Sequence, residues 1–374
     1  MGYLRRYRTS MEIEMKIHFL TESLSALTGG CIYDGILYNK LRDRFGDAVK
    51  LFDYDYFENG YSFLRQDFLK YGMNFRKHAE ELLDCDYLIL NTTMYQKFLL
   101  FPWERRTGSR CRIIGITHHL DFMSYTDRTR EIRKDLLISL MRHCDCLISS
   151  SPYTINCLKL YGLSDRAMLI ESYLDNTVHE CMQKKEELIC FVGTVEPRKG
   201  VDLGIRAFAE FHRTHPDYRF QVAGSFMTGY SKEPYCRSLL RLVSELGLEE
   251  SVIFSGRIEE EEKRELYERA KILLFPSQLE GYGWVMVEAM SYGLPVVCFD
   301  NSAMPYTVND TNGVLVPNKD VHAMAEALNR LADDTVFYEH MSAGAARTAA
   351  GLPDRDVIDI EYEDFMDQLE ARTI

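Results

Sequence analysis

The sequence predicts an α/β protein built of two Rossmann-like domains, and three observations carry that reading. The chain has 374 residues, more than one hydrophobic core usually serves. Short apolar runs alternate with helix-patterned stretches, which implies parallel sheets covered on both faces. The alternation stops in a charged, aperiodic stretch at 172–187 and then begins again, so that stretch reads as a linker between domains.

In the first half, residues 15–20 (MKIHFL) form the first expected strand and 21–30 a loop ending in Gly29-Gly30. A helix is expected over 32–45, with Ile32, Ile36, Leu37 and Leu41 at helical spacing. Strand, glycine-bearing loop and helix open a Rossmann-like unit, but without G-x-G-x-x-G a dinucleotide site is disfavoured. Further strands are expected at 48–52, 87–90, 112–117, 146–149 and 168–171, with helices at 129–142 and 153–161. His118-His119 follow the 112–117 strand at its carboxyl end, where ligand residues gather in parallel sheets. Neighbours on an extended segment point to opposite faces, so a metal site there with Asp121 is not expected. Residues 95–106 (YQKFLLFPWERR) have two readings: an exposed acceptor-binding or membrane-touching surface, or a helix with core anchors and a loop.

The second half repeats the logic. A strand at 188–193 ends in Gly193, a loop TVEPRKG at 194–200 follows, and a helix at 201–212 carries Leu203, Ile205, Ala207 and Phe208. Arg198 and Lys199 thus sit at a strand-to-helix turn, where two cations suit a diphosphate. No G-K-[ST] follows, which disfavours ATPase chemistry. Strands are expected at 220–225, 251–256, 272–276, 296–299 and 313–317; a charged helix is expected at 259–271 and further helices at 321–332, 340–349 and 355–372. The stretch 279–300 (LEGYGWVMVEAMSYGLPVVCFD) reads as loop, helix, turn and strand, with Gly293 ending the helix and Pro295 preventing its return. Gly281 and Gly283 feed the helix start, where free N–H groups and the positive helix end make an anion site. Glu280 and Glu288 flank that site; carboxylates accept hydrogen bonds only and suit a hydroxyl-rich ligand. The plainer reading makes Glu280 a helix-end complement and Glu288 a solvated residue.

The net charge of −13 excludes a general nucleic-acid binder and disfavours broad attraction to anionic lipid. Ten cysteines lie scattered without a disulfide framework or metal spacing, mostly in apolar runs, which reads as reduced thiols in a reducing compartment. Residues 1–16 carry charges throughout, unlike a secretory leader, and Met11 and Met15 are alternative starts.

Glu280-Gly-Tyr-Gly, three apolar residues, Glu288-Ala-Met and Gly293-Leu-Pro-Val-Val resemble the signature of the family-4 retaining glycosyltransferases, and Glu-Pro-Arg-Lys-Gly at 196–200 resembles that family's upstream motif. The resemblance implies the glycosyltransferase B fold: two Rossmann-like domains facing a cleft, with the C-terminal helix crossing back to the first domain. Boundaries follow at 1–180 plus 353–374 for an acceptor domain and 181–352 for a donor domain. It implies that Glu280 holds donor-sugar hydroxyls, Glu288 holds the ribose, and Arg198 and Lys199 neutralise the leaving diphosphate. Many members carry Arg directly after the strand's Gly193, where this chain has Thr194; Arg198 takes over that role. Gly29, Gly30, Gly193, Gly281, Tyr282 and Gly283 would line the nucleotide-sugar, Arg257 and Ile258 would touch the base, and His119, in preference to His118, would stand beside the reacting sugar. The implied activity is metal-independent transfer of a hexose, with retention, to a hydroxyl of a glycan, lipid-linked or small acceptor. UDP-linked donors are favoured over GDP-mannose, no cofactor is needed, and the expected location is cytoplasmic or at the inner membrane face. The rival readings are a nucleotide-sugar epimerase of the same fold and a non-catalytic nucleotide-binding subunit.

Overall fold

The computed structural model describes residues 15–24, 28–53, 73, 75–107, 110–125, 127–173, 177–179, 185–226 and 233–374. The alternative start Met11 and two parts of the expected linker, 174–176 and 180–184, lie outside them.

The first half folds around a parallel sheet of six strands: β1 (Ile17–Leu20), β2 (Val49–Phe52), β3 (Tyr87–Asn91), β4 (Arg112–Ile116), β5 (Cys146–Ser149) and β6 (Ala167–Leu169). Their order across the sheet is β2-β1-β3-β4-β5-β6. The second sheet holds β7 (Leu188–Val192), β8 (Arg219–Ala223), β9 (Val252–Gly256), β10 (Ile272–Phe275), β11 (Val296–Phe299) and β12 (Gly313–Val316), in the order β12-β11-β10-β7-β8-β9. All pairings are parallel. Strands buried on both faces need apolar residues throughout, which is why β7, β10 and β11 read as unbroken apolar runs.

Helix α1 (Gly29–Phe45) starts earlier than its apolar spacing suggests: Gly29 and Gly30 form its first turn, capped by Thr28, whose Oγ1 accepts from Cys31 N–H at 3.3 Å. Its buried face is Tyr33, Leu37 and Leu41 together with Asp34, while Ile32 is exposed. In the first half, α2 (Ala79–Leu83), α3 (Arg130–His143) and α4 (Pro152–Lys159) cover the sheet. In the second half the layer comprises α5 (Val201–His212), α6 (Glu233–Glu245), α7 (Glu260–Arg269), α8 (Trp284–Ser291), α9 (Met304–Thr307), α10 (Val321–Asp333) and α11 (Thr335–Ala350). The expected helix at 340–349 is the second part of α11, which Asp334 caps further upstream.

The surface reading of 95–106 is not what the structure adopts. Residues 92–98 form a 3-10 turn straight after β3 that rotates Met94, Tyr95 and Phe98 onto the core, and Phe101 joins them. Trp103 stacks on His143, with centroids 4.1 Å apart. The aromatics are core anchors. No helix among the described residues is long and apolar enough to cross a membrane.

Helix α12 (Arg355–Ala371) leaves the second half and packs on the first. Its Ile358, Tyr362, Phe365, Met366 and Leu369 are buried in one cluster with Tyr33 and Leu37 of α1 and Ile17 of β1. The Tyr87 hydroxyl donates to Leu369 O at 3.0 Å, and Arg44 meets Glu363, Asp367 and Glu370 on the surface. Burial and not charge fixes this helix. Phe365→Ala is expected to cost about 3–5 kcal/mol, the cost of a large core truncation. Arg44→Ala, despite its three partners, is expected to cost no more than about 1 kcal/mol. Urea unfolding midpoints of the two variants at neutral pH check the ordering.

Candidate active site

The order of the second sheet reverses between β10 and β7, and at such a point a crevice opens beyond the carboxyl ends of the strands. Two loops leave the sheet there, 193–200 after β7 and 276–283 after β10. Gly200 allows them to touch: its φ is +63°, and a Cβ on it would lie 2.2 Å from the Pro276 carbonyl oxygen. Gln278 ties them, its N–H donating to Arg198 O at 2.8 Å and its Nε2 to Pro197 O at 2.9 Å.

Both cations of the first loop converge on Glu280 of the second. Oε1 of Glu280 accepts from Lys199 Nζ at 2.6 Å, Ser277 Oγ at 2.5 Å and Arg198 Nη1 at 3.4 Å. Arg198 also donates to Glu196 at 2.8 Å and to Leu279 O at 2.6 Å. The Glu280 side chain is only 9% exposed. Burial alone would raise its pKa, but the Lys199 and Arg198 charges and the hydrogen bonds from Lys199 and Ser277 bring it down to about 2. Burial lowers the pKa of Lys199, Arg198 adds to that effect, and Glu280 opposes it. For Arg198 burial works to lower the pKa, but the carboxylates of Glu280 and Glu196 outweigh it and raise the pKa.

The first domain closes over this cluster through the turn after β4. The His118 carbonyl oxygen lies so close to Gly281 that a Cβ there would come within 2.1 Å of it. His119 sits in the field of Arg198, Glu280 and Lys199; burial first, then Arg198 and His118, lower its pKa to about 3. It is therefore a neutral imidazole at neutral pH, able to hydrogen-bond a hydroxyl. His118 turns the other way, its Nε2 lying 3.0 Å from Asp34 Oδ1. Trp284, the first residue of α8, packs on the first-domain core beside Gly29.

The other residues singled out by sequence fall into two groups. Gly29 and Gly281 stand where the two halves touch, against Trp284 and the His118 carbonyl, and Gly30 stands against the His118 ring, while Gly193, Tyr282 and Gly283 lie in the two loops that leave the second sheet. Gly193 has φ +148° at the end of β7, and a Cβ on it would lie 3.9 Å from Lys199 Cε. Gly283 opens α8 at φ +88°. Burial, then the Glu171 charge, push the Tyr282 phenol up to about 12. Glu288, Arg257 and Ile258 lie apart from the cations. Glu288 pairs with Lys263 at 3.2 Å and accepts from the Tyr267 hydroxyl at 3.3 Å. Arg257 is largely exposed near Glu259, and Ile258 packs on the second core. Among the described residues no group of three or more His, Cys, Asp or Glu is arranged to hold a metal ion, and the nine described cysteines are free thiols, seven of them buried.

Sequence reasoning missed Glu196, Ser277, Ser302 and Asp34. Ser302 Oγ accepts from the Glu280 N–H at 2.9 Å and steadies the loop from behind. Asp34 had a signal: it interrupts the apolar face of α1.

Residues 179–348 match the family model described as Glycosyl transferases group 1. D-inositol 3-phosphate glycosyltransferase of Acidothermus cellulolyticus is 34% identical over 151 residues, which are 39% of this chain and 33% of that protein. The enzyme of the same name from Frankia alni is 30% identical over 176 residues, 46% of this chain and 43% of that protein. These matches thus span about a third to two-fifths of the curated relatives. Among solved structures, sucrose-phosphate synthase from Thermosynechococcus elongatus superposes with a TM-score of 0.78 at 20% identity, covering 96% of this chain and 100% of that one. Anabaena HepE in complex with UDP and glucose gives 0.71 at 17% identity, covering 95% and 99%. The fold is the glycosyltransferase B fold, and the second half of the chain carries the glycosyltransferase group 1 match.

The Glu280 cluster has a pH signature. The folded pKa lies below the ordinary 4.5, so the ionised carboxylate stabilises the fold above about pH 4.5 and that contribution is lost as pH falls toward about 2. Glu280→Gln is expected to cost about 3 kcal/mol at pH 7. The gap between variant and wild type should close between about pH 4.5 and 2 in urea titrations. A gap independent of pH would contradict the ion-pair account.

Proposed function

We propose that the chain is a retaining glycosyltransferase that moves a hexose from a nucleotide-sugar, UDP-linked in preference to GDP-linked, to a hydroxyl acceptor. The observation that carries this reading is the convergence of Arg198, Lys199 and Glu280 at the switch point of the second sheet. A diphosphate over the glycine turn at 281–283 would meet two fixed cations and the N-terminus of α8. The acceptor oxygen bonds to the anomeric carbon while the bond from that carbon to the diphosphate oxygen breaks, and the hydroxyl proton passes to the departing diphosphate. Charge grows on the leaving group, and Arg198 and Lys199 stabilise it without moving, which is worth more in a buried site than in water. Two side-chain cations supply the charge that a divalent ion would otherwise bring, so the reading requires no metal.

Glu280 has a positioning role in this scheme. It is ionised, accepts hydrogen bonds only, and can orient donor-sugar hydroxyls while holding Lys199 in place. His119, neutral and beside the same cluster, offers a second contact to the sugar. Glu288 would reach the ribose only by exchanging its contacts with Lys263 and Tyr267. The solved neighbour bound to UDP and glucose supports the choice of UDP. The acceptor class stays broad, a glycan, lipid-linked or small-molecule hydroxyl. The argument for a lipid-linked acceptor has lost its footing, because the aromatics at 95–101 are buried.

Thermal unfolding with UDP, GDP, ADP and their sugar conjugates, with and without magnesium, tests the reading, since a ligand of the native state raises the midpoint. A shift with UDP and UDP-glucose in the absence of magnesium is expected. Lys199→Ala and Glu280→Ala should each lower turnover of that donor by about 10²-fold or more, the scale of one lost transition-state contact. Near-normal turnover in both variants would sink the assignment.

A further inference from the structure

The scheme above leaves one buried carboxylate unused. Asp34, in the second turn of α1, is 0% exposed. Its Oδ2 accepts from Thr21 Oγ1 at 2.6 Å and from Asn91 Nδ2 at 2.8 Å, and its Oδ1 faces His118 Nε2 at 3.0 Å. Those partners come from the residue after β1, the end of β3 and the turn after β4. The first sheet reverses its order between β1 and β3, so Asp34 lies under the switch point of that sheet as Glu280 lies at that of the second. Burying a carboxylate is costly even when it is fully hydrogen-bonded. The neighbouring positions of the same helix face are filled by Tyr33, Leu37 and Leu41, so packing alone does not call for a charge here.

We propose that Asp34 is a positioning residue for glycosyl transfer: it holds the His118 ring in one tautomer and orientation, and so seats the turn that meets the donor loop. The inference rests on the transferase reading of that site. A carboxylate accepts only, so the Nε2 that faces Asp34 carries a proton, and a single ring proton sits there and not on Nδ1. Nδ1 has no hydrogen-bond partner among the described residues. The ring is wedged from two sides: a Cβ on Gly30 would come within 2.9 Å of His118 Cδ2, and Tyr33 stands edge-on at 5.6 Å between centroids. The backbone of His118 is pinned as well, its carbonyl accepting from Thr154 Oγ1 at 3.1 Å and abutting Gly281. A turn of the ring would therefore displace the Gly281 contact and, one residue on, His119 beside Arg198 and Lys199. Displacements of about 1 Å remote from the reacting bond suffice to cost 10²-fold in rate.

The test uses the full chain with ¹⁵N-labelled histidine, UDP, and UDP-glucose. In the wild type, ring-nitrogen shifts of His118 should report the Nε2–H form; in Asp34→Asn the amide can donate, and the Nδ1–H form should appear. Release of UDP from UDP-glucose should fall by about 10- to 100-fold in kcat, while the Kd for UDP stays within about twofold. Thr21→Val keeps the carboxylate but removes one of the two donors that fix its Oδ2, and should show the same split of kcat from Kd to a smaller degree; it carries the test if Asp34→Asn does not fold. An unchanged tautomer in Asp34→Asn, a changed tautomer with full kcat, or a loss of UDP binding in step with turnover would each overturn the proposal. If the wild type neither binds UDP nor turns over UDP-glucose or GDP-mannose, the transferase reading falls and this inference with it. The tautomer is read without substrate and tells the two failures apart.

Discussion

A single buried carboxylate, Glu280, organises the loops of the second sheet. It belongs to the loop after β10, while the cations that neutralise it belong to the loop after β7. The two strands are neighbours in the sheet but lie far apart in sequence, so the ion pairs act as a cross-loop clasp. The clasp needs close backbone approach, which is why Gly200 stands against Pro276. It also needs dryness, since an exposed pair of this kind contributes little. At 9% exposure the Glu280 side chain is nearly sealed, and removing any one member leaves a charge without compensation. The same arrangement that holds the loops together keeps two cations fixed at the mouth of the crevice.

How much of this was legible follows from the physics of each element. Strands β7, β10 and β11 were visible because parallel strands buried on both faces read as continuous apolar runs. Arg198, Lys199 and Glu280 were visible as chemistry at strand ends, though not their mutual pairing, which depends on strand order. The reversal that brings β7 beside β10 is a tertiary fact with no local signal. Helix α6 escaped notice although its sequence is amphipathic, and α1 was set three residues late because a glycine pair reads as loop. There the cap from Thr28 and tertiary packing override the low helix propensity of glycine. Residues 95–106 admit two readings from sequence, a surface or core anchors, and the 3-10 turn that rotates the rings inward decides for the anchors. Composition records which side chains are present and not which way the turn points them.

The two halves solve the same problem with different chemistry. Each sheet reverses its strand order once, and each places a buried carboxylate at that reversal. In the second half Glu280 is met by lysine and arginine; in the first half Asp34 is met by a hydroxyl, an amide and an imidazole. Lysine and arginine offer an anion charge-assisted hydrogen bonds, which a hydroxyl or an amide does not. The reversal of the second sheet thus offers fixed positive charge, and that of the first sheet offers shape and hydrogen-bond direction. The turn 117–119 joins the two, with His118 facing Asp34 and His119 facing the Glu280 cluster. Adjacent histidines on an extended segment point apart, the geometric rule that argues against a shared metal. The same rule lets one dipeptide serve both carboxylates, so one turn sets both the contact between the halves and the position of His119 beside the Glu280 cluster.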